Sequence, residues 1–148
     1  MTIYALSTGP GISGLAVIRV SGPDTKSVIK YLTKRSLPDE KKATVRKFIK
    51  QNDDLIDEGI LIWFKGPRSY TGEDMAEFQV HGSKAVIETM QKSISEIPNC
   101  RLAEPGEFTK IAFQNDKIDL LKAESTRDLI HSETELQRQQ AVKLVQGS

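Results

Sequence analysis

The sequence holds a single cysteine, Cys100, which excludes an internal disulfide and any thiolate cluster for zinc. It contains no G-x-x-x-x-G-K-[ST]: Gly66 to Gly72 is glycine-bounded but no Lys-Ser/Thr follows, so nucleotide hydrolysis is not assigned to these residues. No apolar run approaches the roughly 20 residues a membrane helix needs, and Met1-Thr2-Ile3-Tyr4 opens without the basic and apolar regions of a secretory signal. A cytoplasmic protein with no membrane association is expected. An excess of one charge is also missing: Lys+Arg 21 against Asp+Glu 20 leaves no electrostatic footprint for nucleic acid. Finally, glycine and proline are absent from Ile118 to Gln146, a Glu/Gln/Lys/Arg/Leu-rich stretch that predicts one long helix.

What is present is organised around Gly66-Pro67-Arg68-Ser69-Tyr70-Thr71-Gly72-Glu73-Asp74, a Gly/Pro-rich loop that carries an arginine. It runs into Met75 to Val80, where Ala76, Phe78 and Val80 alternate with Met75, Glu77 and Gln79, the period of a half-buried strand. Glu77 therefore lies in mid-strand on the face opposite the apolar set. It either faces solvent on an open sheet or offers two acceptor oxygens to a flat ligand with adjacent N–H donors. Arg19 stands inside the apolar run Leu15-Ala16-Val17-Ile18-Arg19-Val20. A cation there calls for an ion pair, a snorkelling edge position or an open cleft.

The remaining pattern alternates strands and helices. Ile3 to Ser7 and Leu15 to Val20 predict strands, and the G-x-G-x-x-G from Gly9 to Gly14 joins them as a turn, since no helix follows it. Asp24 is positioned to cap a helix through Thr33, and Ser83 one in which Val86, Ile87, Met90 and Ile94 share a face. Lys41 to Lys50 is rich in cations, as suits an exposed edge strand guarded against mispairing or, as the rival reading, a groove for nucleic acid. Ile60 to Phe64 is the most apolar strand, and Arg101 to Ala103 predicts a last short one. Pro105-Gly106 starts a helical turn through Phe108 and Phe113. His81, at a strand end, reads as a hydrogen-bonded structural imidazole, and His131 as a surface or interhelix residue; no metal site is expected. The fold class is α+β, a mixed or antiparallel sheet covered by helices, with a domain at 1–117 and, at 118–148, the start of a truncated helical domain.

The wording of four blocks resembles the MnmE/TrmE family of tRNA-modification GTPases. Pro67 through Gly82 is similar to P-x-S-[YF]-T-G-E-D followed by E-x-Q-x-H-G, and Gly14 to Pro23 to G-[VI]-[GA]-[IV]-I-R-[VI]-S-G. Arg101 to Thr109 and Ala112 to Leu120 resemble R-x-A-x-P-G-E-F-[ST] and A-F-x-N-x-K-[LI]-D-L. The chain departs from the family at Gly9, Ile12 and Ser13 and at Lys110-Ile111.

The resemblance implies an N-terminal domain that binds a tetrahydrofolate derivative (5-formyl- or 5,10-methylene-tetrahydrofolate), forms a homodimer and supports aminomethyl-type modification of a tRNA wobble uridine. Carried over position by position, its folate contacts are Arg19, Glu77 and Lys117, with Glu77 on the pterin edge and the cations on polar or anionic atoms. GTP, Mg2+ and K+ would belong to a GTPase module outside these residues, and a flavin-dependent partner protein and tRNA to the full-length protein. No catalytic residue is expected in this segment. The rivals are an interaction module without folate binding and a free-standing aminomethyltransferase relative, the latter disfavoured by the short chain.

Overall fold

The computed structural model describes residues 1–7, 14–117 and 123–146, with the side chains of 127–138 in the last segment. The glycine-rich turn and the expected helix start at Ile118 fall outside these residues. The described residues form strands β1 (Thr2–Leu6), β2 (Leu15–Ser21), β3 (Thr44–Ile49), β4 (Leu55–Phe64), β5 (Met75–His81) and β6 (Cys100–Leu102). The helices are α1 (Thr25–Thr33), α2 (Lys84–Ser95), α3 (Glu107–Gln114) and α4 (Ala123–Gln146). The strands join in one sheet of order β3-β4-β5-β2-β1-β6, antiparallel except for the parallel β1–β6 pair. The α+β expectation with a mixed sheet is met. Among the described residues no helix is long and apolar enough to cross a membrane.

Strand alternation gives the sheet two unlike faces. Ala16, Ile18 and Val20 lie opposite Val80, Phe78 and Ala76, and these share the main core with Leu61, Trp63, Tyr4 and Leu6. Helices α1 and α2 cover this face with Val28, Ile29, Leu32, Ile87, Met90 and Ile94. Burying side chains of this size stabilises the fold by about 1.5–3 kcal/mol each before entropy is counted. The second face is covered only in part. Ile3, Ala5 and Met75 pack with Phe108 of α3 in a smaller cluster, whereas the row Val45, Ile60 and Gln79 on the β3–β5 side lies outside both clusters, and Val45 is 59% exposed.

Local chemistry explains the joints. Ser83 caps α2 by accepting from the Val86 N–H at 3.2 Å. Asp24 occupies the equivalent place before α1 but makes no side-chain cap; its carboxylate accepts instead from the Thr2 hydroxyl at 3.3 Å. The cation-rich strand β3 lies at the sheet edge, where unpaired backbone groups favour charge over extension by another strand. Gly59 is required by the β4–β5 crossing: a Cβ there would fall 2.0 Å from the Gln79 carbonyl oxygen.

Candidate functional site

Register places Arg19 of β2 directly opposite Glu77 of β5, with Ile62 and Ala5 completing the row across the second face. The two side chains form an ion pair, Nη2 to Oε2 at 3.9 Å, with each about a quarter exposed. At that separation and exposure the pair contributes little stability, about 0–1 kcal/mol. Arg19 turns its guanidinium over two aromatic rings, 5.4 Å from the Tyr70 centroid and 5.5 Å from that of Phe108, which favours a cation at this spot. Its Nε is buried and has no hydrogen-bond partner among the described residues.

Tyr70 is delivered by the 66–74 loop, which is tied at several points. The Gly66 N–H donates to Asp74 Oδ1 at 2.9 Å, and the Ser69 hydroxyl bonds the Glu73 carbonyl. Asn115 donates to the Thr71 carbonyl at 2.8 Å. A buried hydroxyl pair, Ser21 Oγ and Thr71 Oγ1 at 2.8 Å, fastens the loop to β2, and Ser21 also bonds Glu73 Oε1 at 2.8 Å. Arg68 forks onto Glu40, its Nη2 donating to both carboxylate oxygens at 2.9 Å and its Nε to Oε1 at 3.3 Å. Tyr70 itself shares a 2.9 Å hydroxyl contact with Thr109 of α3.

Helix α3 is anchored by a second fork. Arg101 meets Glu107 at 2.8 and 2.5 Å, and the Glu104 N–H donates to the same carboxylate at 2.8 Å. The Arg101 hydrogen bonds hold the Glu107 carboxyl below its ordinary range, against the opposing push of burial.

Between the sheet, α3 and α4 lies a cavity of about 270 Å³. Arg19, Tyr70 and Phe108 line one side, Leu129, Glu133 and Leu136 of α4 the other. Of the three expected contacts only Arg19 lines it. Glu77 adjoins Arg19 from the next strand, and exposed Lys117 is placed on the outside of the loop, its ammonium donating to the Pro67 carbonyl at 2.8 Å. Thus Arg19 and Glu77 come together, and Lys117 bonds the loop that carries Tyr70. His81 has its Nδ1 2.8 and 3.0 Å from the Asp57 carboxylate oxygens, the hydrogen-bonded imidazole expected; His131 is exposed.

Tyr70, Phe108, Thr109 and Glu133 were not singled out as site residues from sequence. Tyr70 and Phe108 stand inside recognisable blocks, which was a usable signal; Glu133 has none, because only tertiary packing brings α4 to the sheet.

A loop of this wording, latched to a strand that carries Arg19, is matched by the family model "GTP-binding protein TrmE N-terminus" over residues 2–117. The chain belongs to that family. Among curated relatives, the tRNA modification GTPase MnmE of Pelagibacter ubique (strain HTCC1062) is 69% identical over 148 residues, covering 99% of this chain and 33% of the relative. Those of Brucella canis and Rhodopseudomonas palustris (strain BisB5) are 48% and 49% identical, again over 99% of this chain, with 33% and 32% of their own lengths covered. The chain therefore spans about a third of the length of these TrmE-family relatives. The family match ends at residue 117, ahead of α4, so the half of the cavity contributed by α4 lies beyond the matched segment.

Proposed function

We propose that this chain binds a reduced folate, 5-formyl- or 5,10-methylene-tetrahydrofolate, and holds the one-carbon donor for modification of a tRNA wobble uridine. The observation that carries the reading is Arg19: a guanidinium set on two aromatic rings at the wall of a cavity, in a chain of the TrmE N-terminal family. A folate combines a flat polar ring with an anionic glutamate tail, and a stacked cation whose Nε has no partner among the described residues suits both. Glu77, paired with Arg19, and Lys117, bonded to the 66–74 loop at Pro67, are the further proposed contacts. The chain supplies binding and orientation only. GTP hydrolysis with Mg2+ and K+, the flavin-dependent partner and tRNA engagement are assigned to the full-length cytoplasmic protein.

A homodimer accompanies this reading. The β3–β4 part of the second face, with exposed Val45 and half-buried Ile60 and Ile62, gives a second copy an apolar strip to bury. Isothermal titration with 5-formyl-tetrahydrofolate tests the binding: saturable heat lost in Arg19→Ala and reduced in Glu77→Ala is expected, and absence of heat at high micromolar ligand refutes it. Sedimentation tests the dimer independently; a dimer without folate binding would leave the interaction-module reading in its place.

A further inference from the structure

Helix α4 closes the cavity with polar groups as well as apolar ones. Gln137 Oε1 accepts from the Gly106 N–H at 3.2 Å, and Glu133 Oε2 accepts from the Thr109 N–H at 3.3 Å. Gly106 permits the approach, since a Cβ there would fall 2.6 Å from Ile130 Cγ2. With Oε2 engaged, Glu133 keeps Oε1 buried and without a hydrogen-bond partner among the described residues. Arg19 Nε, on the opposite wall, is in the same condition.

These two atoms are complementary in kind. An ionised carboxylate oxygen only accepts, and a guanidinium nitrogen only donates. A buried polar atom left unmatched is costly, and such atoms in folded proteins usually have a partner. Here both unmatched atoms belong to residues lining one cavity, whose lining also includes the Tyr70 and Phe108 rings, Leu129 and Leu136, and, at its polar margins, Ser7, Thr109, Ser132 and Gln137. The complementary occupant has two flat apolar faces, an N–H edge for Glu133 and an acceptor edge for Arg19. A space of about 270 Å³ is at the small end for a ligand pocket. It takes a fused ring and leaves a longer conjugated tail outside, past exposed Leu129 and Ser132.

We propose that Glu133 is a ligand-reading carboxylate: it accepts from a further N–H of the heterocycle that Arg19 contacts from the sheet, in addition to the Glu77 contact proposed above, so the binding site is shared between the sheet and α4. This rests on the folate reading of Arg19 and assigns to α4 a specificity contact in the same site. A hydrogen bond between the ligand and a charged acceptor then forms only when α4 is seated.

The test is isothermal titration of the 148-residue chain with 5-formyl-tetrahydrofolate, comparing wild type, Arg19→Ala, Glu133→Gln and Ser132→Trp. Loss of the charged acceptor in Glu133→Gln should weaken binding roughly ten-fold or more. Ser132→Trp, at an exposed position on the cavity wall, should abolish it by filling the space, with the ligand-free melting curve unchanged. Equal affinity in wild type and either variant overturns the proposal, and the Ser132 variant decides the matter should Glu133→Gln fail to fold. Loss in Arg19→Ala with both α4 variants unaffected leaves the folate reading standing and the α4 contact refuted. No binding by wild type refutes both.

Discussion

The seating of α4 on α3 predicts a sharp response to Gly106→Ala. Gly106 precedes α3 with φ +75°, and its Cβ position lies 2.6 Å from Ile130 Cγ2 and 3.4 Å from Thr134 Oγ1. A left-handed alanine costs about 1–2 kcal/mol. Carbon contacts settle near 3.5–4.0 Å, so Ile130 must retreat by about 1 Å, stretching the 3.2 Å Gly106–Gln137 bond, whose net loss adds about 0.5–1.5 kcal/mol. Together the change should cost about 2–3 kcal/mol, a fall in Tm of roughly 5–10 °C for a chain of this size. Hydrogen exchange should localise the effect to residues 123–146, with the sheet amides still protected. Adding Ile130→Ala should relieve the collision but not the backbone cost, making the two changes less than additive. A Gly106→Ala protein that melts within about 1 °C of wild type, with unchanged exchange in α4, would refute this account of how the helix is held.

Other perturbations report on separate parts of the frame. Gly59→Ala should cost more than about 3 kcal/mol, or leave the chain insoluble, because the added carbon meets the Gln79 carbonyl of the neighbouring strand; a folded variant with near-native denaturant midpoint would contradict it. Thr71→Val keeps the shape but removes one partner from the buried Ser21–Thr71 contact, and should lower stability by about 1–2 kcal/mol in urea unfolding. Glu107 has a folded pKa below its unfolded value, so its contribution is present above the ordinary glutamate value of 4.5 and is lost as pH falls from there through the folded value. Glu107→Gln should flatten that acid limb of the stability curve while lowering stability at pH 7. Tyr70→Phe, which loses only the Thr109 hydroxyl contact, should bind folate nearly as wild type, whereas Tyr70→Ala, which strips a ring from Arg19, should bind at least about ten-fold more weakly by titration.

Much of this frame is written in local pattern. The alternation Ala76/Phe78/Val80 against Met75/Glu77/Gln79 predicts which side of β5 is buried, and the lone cation in Leu15 to Val20 marks the strand that bears the cavity arginine. Both signals are short-range, and strand periodicity transmits them without knowledge of the partners. Pairing is another matter: that Arg19 sits opposite Glu77 depends on register, set by tertiary packing. Lys117, read from motif similarity, follows α3 and bonds the 66–74 loop at Pro67 but does not line the cavity. Glu133 was invisible because, on a helix rich in charge, nothing distinguishes a carboxylate that will be buried from those that stay wet. Asp24 shows the same limit at small scale, since a hydroxyl 22 residues away competes for the oxygen that composition assigns to a cap.

The hydroxyl latch between Ser21 and Thr71 also bears on how the cavity is framed. Tyr70 is held from both β2 and α3, so its ring is fixed by contacts that do not involve α4, whereas the opposite wall rests on the Gly106 and Thr109 amides. The two walls are thus secured by separate sets of bonds, and a substitution that loosens one leaves the fastening of the other in place.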